Sequence, residues 1–204
     1  MLKQNAQKEC AVKLTSLAVP TLETERLVLR QLVESDATSY QKHFENWEVV
    51  KTLAKGLPWP YPEGGALDYI KNFVTPYQGK DKWVWAITLK EHPSELVGAI
   101  DLMRNANPCN RGFWLAHHLW KQGLMTEAVV ATTDYAFDHL GFEELHLSNA
   151  TGNPASGRLK EKFGAEKIDV VPYSFMSTEY TRSERWKLTK EAWRNYRSEN
   201  QEST

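Results

Sequence analysis

Cysteine is scarce in this chain of 204 residues: Cys10 and Cys109 are the two it has. They lie far apart and form no Cys-x-x-Cys pair, so neither a zinc site nor a disulfide framework is expected. Both read as free thiols of a reducing compartment. Charge of one sign is also lacking. The 25 basic and 26 acidic residues leave a net charge of −1, which excludes the general electrostatic attraction that nucleic acids and membrane surfaces require. No run approaches the roughly 18 apolar residues of a membrane span. The first residues mix Lys3, Gln4, Asn5, Gln7, Lys8 and Glu9 with only a brief apolar patch, Leu17-Ala18-Val19. That patch is too short for a secretory signal, so a cytoplasmic protein with an N-terminal tail of uncertain order over residues 1–20 is expected. There is no internal repeat, no Pro/Gly/Ser linker and no G-x-x-x-x-G-K-[ST] loop of a nucleotide-phosphate enzyme. With 41% hydrophobic residues, the chain can bury the core of one domain.

What is present alternates between strand and helix signals. Arg26-Leu-Val-Leu-Arg30 has the two-residue period of a half-buried strand. Ser35 or Asp36 can cap a helix through Tyr40 and Phe44. Gly56-Leu-Pro-Trp-Pro-Tyr-Pro62 must be a loop, because its three prolines remove donors and restrict the residues before them. A helix from Glu63 to about Tyr77 follows. Trp83–Leu89 and Leu96–Leu102, joined by a short polar turn, read as a hairpin, and Arg111–Leu115 adds a third strand. Trp83 and Trp85, two residues apart, point to one face and suit core packing. A helix over Thr126–Leu140 buries Ala128, Val129, Thr132 and Ala136 and ends at Gly141. Then come a strand at Leu145–Asn149, a helix at Pro154–Phe163 and two strands near Ile168–Val171 and Glu184–Leu188. The order predicts an α+β fold, a mixed and mostly antiparallel sheet of about seven strands with helices on both faces.

The most informative stretch is Gly112-Phe-Trp-Leu-Ala-His-His-Leu-Trp-Lys-Gln-Gly-Leu-Met-Thr-Glu-Ala128. A short apolar strand passes through a turn with one glycine into a helix N-terminus. Unpaired backbone N–H groups then converge at the positive end of the helix dipole, where a pyrophosphate is well held. Downstream, Asn153-Pro-Ala-Ser156 opens a second helix, with Asn153 as cap and Pro154 at the first helical position. With Thr24-Glu-Arg-Leu-Val-Leu-Arg30, Leu57-Pro-Trp-Pro-Tyr-Pro62 and Leu159-Lys-Glu-Lys-Phe-Gly164, these segments resemble, in order and spacing, the RimJ/RimL-like branch of the GNAT N-acetyltransferases. That branch includes ribosomal-protein N-terminal acetyltransferases. The resemblance covers roughly Thr21 to Trp193, and the domain is placed at 21–197, with a C-terminal tail at 198–204.

The resemblance implies a GNAT fold and acetyl-CoA as co-substrate, without a metal. Cofactor contacts fall on Leu115, Gln122, Gly123, Leu124, Met125 and Thr126, and on Asn149 and Asn153. The pyrophosphate loop of the superfamily has Gly or Ala where Met125 stands, and the helix tyrosine that many members use as proton donor is missing. The RimL-like pattern assigns that role to Ser156, which would protonate the leaving thiolate. A glutamate serves as base in that pattern, and the matching position is His117, which titrates near neutral pH. Glu63, Asp101 and Tyr173 are the substitutes. Trp59 and Tyr61 suit the wall of an acceptor pocket. The expected activity is transfer of an acetyl group to a primary amine, on a protein N-terminus or a small molecule, by direct attack in a ternary complex. Neither nucleic acid nor membrane is an expected partner, and a monomer or homodimer is anticipated. The alternative is a catalytically weak acetyl-CoA sensor of the same fold.

Overall fold

The computed structural model describes residues 19–106 and 109–201. In chain order, strands β1 (Leu22–Glu23) and β2 (Leu27–Gln31) precede helices α1 (Ala37–Phe44), α2 (Trp47–Val50) and α3 (Gly65–Tyr69). The last of these continues as a π-helical turn, Ile70–Val74. Strands β3 (Lys82–Leu89), β4 (His92–Met103) and β5 (Arg111–Leu115) follow. Then come α4 (Leu124–Asp138), β6 (Glu144–Ala150), α5 (Pro154–Lys162), β7 (Glu166–Pro172), β8 (Arg182–Thr189) and α6 (Lys190–Gln201). The α+β class expected from the element order is what the chain adopts. Its strands form two antiparallel sheets, one of five strands in the order β1-β2-β3-β4-β5 and one of three in the order β6-β8-β7.

The two-residue period of a strand gives the larger sheet a core on each side. Along β3, Trp83, Trp85 and Ile87 join Leu27, Leu29, Ile100 and Leu102 in one cluster, over which α4 lays Ala128, Val129 and Ala136. The alternate residues Val84 and Ala86 face the other way, against Tyr40, Phe44 and Ile70. Trp83 and Trp85 therefore share a face, as their spacing requires, and both are fully buried.

Several boundaries differ from expectation because of contacts made far along the chain. Val19 is buried and the Pro20 carbonyl accepts a 2.8 Å hydrogen bond from Trp85 Nε1, so the ordered chain begins before residue 21. Residues 1–18, including Cys10, lie outside the described residues. At the other end, α6 runs to Gln201, past the expected boundary at 197. It is held by Trp193, whose ring packs edge-on to Phe163 and whose Nε1 donates to Asp134 Oδ1 at 2.8 Å. No helix among the described residues is long and apolar enough to cross a membrane.

Asp36 does not cap α1 with its side chain. Its carboxylate is instead buried and receives Arg30 Nη1 and Nη2 at 2.8 and 2.6 Å and the Val33 N–H at 3.0 Å. This planar fork ties β2 to the start of α1. Removing one partner of a buried pair strands the other, which typically costs about 3–5 kcal/mol. Asp36→Ala is expected to lower the unfolding free energy by about 3 kcal/mol in urea titrations, near the bottom of that range because Arg30 is partly exposed.

Candidate functional site

The two sheets meet at one junction. Asn110, just before β5, donates its backbone N–H to the His146 carbonyl, and its Oδ1 accepts the His146 N–H, both at 2.8 Å. Its Nδ2 also reaches the Met103 carbonyl at 3.0 Å. One side chain thus holds β5 against β6. Beyond that point the two strands share no ladder among the described residues. A cavity of about 950 Å³ lies between them, lined by Gly112–Leu115 on one side and Ser148–Ala150 on the other.

The N-termini of two helices line this cavity. The turn after β5 reverses through Lys121 and Gly123, both with positive φ, 63° and 80°. Glycine adopts that conformation without strain, whereas lysine does so at a cost. Gly123 then caps α4, and Leu124, Met125 and Thr126 form the first turn on the cavity wall. Their N–H groups precede any intrahelical acceptor. The turn is fastened from outside. Arg26 Nη2 donates to the Gln122 carbonyl at 3.0 Å, and Arg26 also pairs with Glu127, which accepts from Thr24 Oγ1 at 2.7 Å. Burial alone would raise the Glu127 carboxyl, but Thr24 and Arg26 hold it below the usual range. Trp120 Nε1 closes the turn by donating to the Leu115 carbonyl at 2.8 Å. Met125, where the loop pattern has a small residue, packs against the α4 core.

The opposite wall comes from β6 and α5. Asn153 Oδ1 accepts the Ser156 N–H at 3.3 Å, the expected cap. Asn149 gives both amide hydrogens away, to Glu184 Oε2 at 2.9 Å and the Ala150 carbonyl at 3.1 Å. Its buried Oδ1 has no partner among the described residues. An acceptor so placed suits an amide N–H of an extended ligand. Ser156 lines the cavity, and its Oγ accepts from Lys160 Nζ at 2.7 Å.

A third wall is aromatic. Tyr40, Phe44, Tyr61, Tyr69 and Trp114 line the cavity together with Asp101, which projects from β4 and accepts the Gly112 N–H at 2.8 Å. Burial pushes the Asp101 carboxyl up to about 6, although the Gly112 N–H and the charge of Lys82 pull it down. Burial also pushes Tyr61 up to about 12 and raises Tyr40 and Tyr69 well above the ordinary tyrosine value. Near neutral pH, Asp101 is therefore the group on this wall that changes charge.

The cavity brings together Leu115, Gly123, Leu124, Met125, Thr126, Asn149, Asn153 and Ser156, along with Asp101, Tyr61 and Tyr173. Gln122 contributes no lining and points its carbonyl at Arg26. His117 is exposed in a short 3-10 turn, its ring edge-on to Trp120 at 4.8 Å and off the cavity wall. Glu63 and Trp59 are also off the wall, Trp59 leaning on Trp47 instead. Sequence reasoning missed Lys160. Its spacing from Ser156, one helical turn, was the available signal, but a lysine in a run of charges reads as solvated.

Two antiparallel sheets part at a cleft, and the N-termini of two helices line it, an arrangement that suits an elongated anionic ligand. Residues 26–166 match the family described as Acetyltransferase (GNAT) domain. The chain is 32% identical over 155 residues to an uncharacterised N-acetyltransferase, YoaA of Bacillus subtilis, covering 74% of this chain and 86% of that protein. Among solved structures it is similar to the ribosomal-protein-S5-alanine acetyltransferase of Vibrio fischeri, with a TM-score of 0.71 at 16% identity over 85% of this chain and 98% of that one. Mycobacterium smegmatis RimJ in complex with CoA-disulfide gives a TM-score of 0.69 at 14% identity, over 87% and 90%. The chain belongs to the GNAT acetyltransferase family, and as such is an acetyl-CoA-dependent acyltransferase. The donors at the start of α4 and the unpaired Asn149 acceptor fit that co-substrate.

Asn153 tests the cofactor wall. Losing a cap typically costs about 1 kcal/mol. Asn153→Ala is expected to lower the melting temperature by a few degrees, about what such a loss produces in a domain of this size. It should also raise the KM for acetyl-CoA while changing kcat little, as steady-state kinetics would report.

Proposed function

We propose that the protein moves the acetyl group of acetyl-CoA to a primary amine, of a protein N-terminus or a small molecule, by direct attack in a ternary complex. The observation that carries this reading is one continuous cavity lined by the first turn of α4, Ser156 and Asp101. The first-turn N–H groups of α4 hold the pyrophosphate, and Asn149 and Asn153 meet the pantetheine arm. A backbone N–H near Leu115 polarises the thioester carbonyl. Cys109 Sγ is turned to the Arg111 carbonyl at 3.0 Å, and Cys10 lies outside the described residues. A covalent acetyl-enzyme therefore has no support from the site. A cytoplasmic setting, as a monomer or homodimer, completes this reading.

An alkylammonium acceptor must lose a proton before it attacks. His117 was the sequence candidate for this step, but its exposure and its place off the wall favour Asp101. A carboxylate held near pH 6 is basic enough to take the proton and still ionised at pH 7. Ser156 gives a proton to the departing thiolate. The aromatic wall around Asp101 excludes water and leaves room for an extended amine. The reading is tested by thiol release from acetyl-CoA over a panel of peptides and small amines. Cofactor binding with no acceptor-dependent release from any of them would defeat it.

The Asp101 carboxyl is raised above its unfolded value, so the folded state holds that proton more tightly. Its contribution to stability is full below about pH 4 and is lost as pH rises through about 6. Asp101→Asn should therefore be no less stable than the parent at pH 7. Activity runs the other way: kcat/KM for the amine should fall as pH drops through about 6, and Asp101→Asn should lose about a hundredfold. Wild-type turnover in the variant, measured from pH 5 to 8, would remove Asp101 from the role. Ser156→Ala should lower kcat at least about tenfold and leave the acetyl-CoA dissociation constant unchanged, a pair separated by single-turnover kinetics and calorimetry.

A further inference from the structure

Lys160 lies one turn after Ser156 on α5, and it is buried at 2% exposure. An ammonium taken out of water is costly unless it is paired. The carboxylate that acts on it most directly, Glu184, is hydrogen-bonded elsewhere, to Asn149 and Lys167. Lys160 Nζ instead donates to Ser156 Oγ at 2.7 Å and to the Ser156 carbonyl at 3.2 Å. The direction of the first bond matters. A protonated lysine can only donate, so it occupies a lone pair of the serine oxygen and leaves the serine O–H to point elsewhere. That hydroxyl has no acceptor among the described hydrogen bonds, and Ser156 lines the cavity.

We propose that Lys160 is the proton reservoir behind Ser156, a positioning residue that aims the serine hydroxyl at the cavity and restores its proton after each transfer. The inference rests on the acetyl-transfer reading above. When the tetrahedral adduct collapses, the C–S bond breaks and its electron pair goes to sulfur. Sulfur takes the proton of Ser156 Oγ, and Oγ takes one from Lys160 Nζ, which becomes a neutral amine. The acceptor nitrogen gives one proton to Asp101 before it attacks, and Asp101 passes it to solvent; the nitrogen's second proton goes to solvent as the amide forms. Lys160 recovers a proton from solvent, and the cycle releases one proton net.

The surroundings suit a lysine that exchanges its proton near neutrality. Burial draws its ammonium down to about 7, and the buried Arg111 of β5 adds to this. Glu184 of β8 and Cys109, ahead of β5, pull the other way. Arg111 is itself brought down to about 10 by burial and is hydrogen-bonded to Thr133 of α4 at 3.1 Å, so it keeps its charge while Lys160 titrates.

The test is Lys160→Met, which keeps the length of the side chain and removes the charge. Replacing a buried cation by an apolar group of similar size should not lower the melting temperature. In the parent, kcat should decline above about pH 7 as Lys160 loses its proton. The variant should lose that alkaline decline and turn over at least tenfold more slowly at pH 7, with the acetyl-CoA KM unchanged. In a Ser156→Ala background, Lys160→Met should cost nothing more, because the residue acts through the serine. A folded Lys160→Met enzyme with the parent's kcat and pH profile would overturn the inference, as would an equal cost with and without Ser156. Should the lysine variant fail to fold, Ser156→Ala carries the test: it must abolish the alkaline decline, and retention of the decline overturns the proposal. If the parent itself releases no thiol with any amine, the acetyl-transfer reading falls and this inference falls with it. Normal turnover indifferent to Lys160 removes the inference alone.

Discussion

The parting of β5 from β6 is the constraint on which the rest of this molecule depends. Asn110 spends its backbone N–H, its Oδ1 and its Nδ2 to hold the two sheets together at one point. The strands then run on without a shared ladder, and their unpaired edges face a cavity instead of each other. An exposed strand edge is a standing invitation to another extended chain. Under the proposed function, the pantetheine arm is the extended chain that this break in the sheet would receive.

The walls of the cleft are held from outside by two ion pairs. Arg26 and Thr24 pin Glu127 and the Gln122 carbonyl, so that α4 begins at the cavity. Arg30 pins Asp36, so that α1 carries Tyr40 and Phe44 onto the aromatic wall. Arg30 lies in β2 and Arg26 immediately before it, and Glu127, which Arg26 holds, is about a hundred residues further along the chain. A shift of β2 would therefore disturb the cofactor end and the acceptor end together.

Burial has opposite effects on the two titratable groups at this site. It raises the Asp101 carboxyl to about 6 and lowers the Lys160 ammonium to about 7. In each case the charged form is penalised by the loss of water. One low-dielectric cavity thus brings an acid and a base of very different solution strengths to within reach of neutral pH. Such a site can take a proton from an ammonium on one wall and deliver one to a thiolate on the other.

Much of the fold was legible along the chain because its signals are local. Alternation marked β2 and β3, Gly141 and Gly164 marked helix ends, and Asn153-Pro154 marked the start of α5 with its cap intact. The Gly123 turn was legible as a left-handed entry to a helix, because such a glycine exposes the first N–H groups in any surroundings. Other residues misled for the same reason. Asp36 has the local pattern of a cap, yet Arg30 on the preceding strand claims its carboxylate. His117 has suitable chemistry and a suitable alignment, but its side chain faces solvent beside Trp120. The elements, their order and their family were thus determined by sequence, since periodicity, caps and turns depend on near neighbours. The surroundings of the titratable groups were decided by the tertiary structure. Which carboxylate loses its water, which lysine is buried against a serine, and which hydroxyl is left free are set by residues brought together across the cleft, and no local spacing encodes that desolvation.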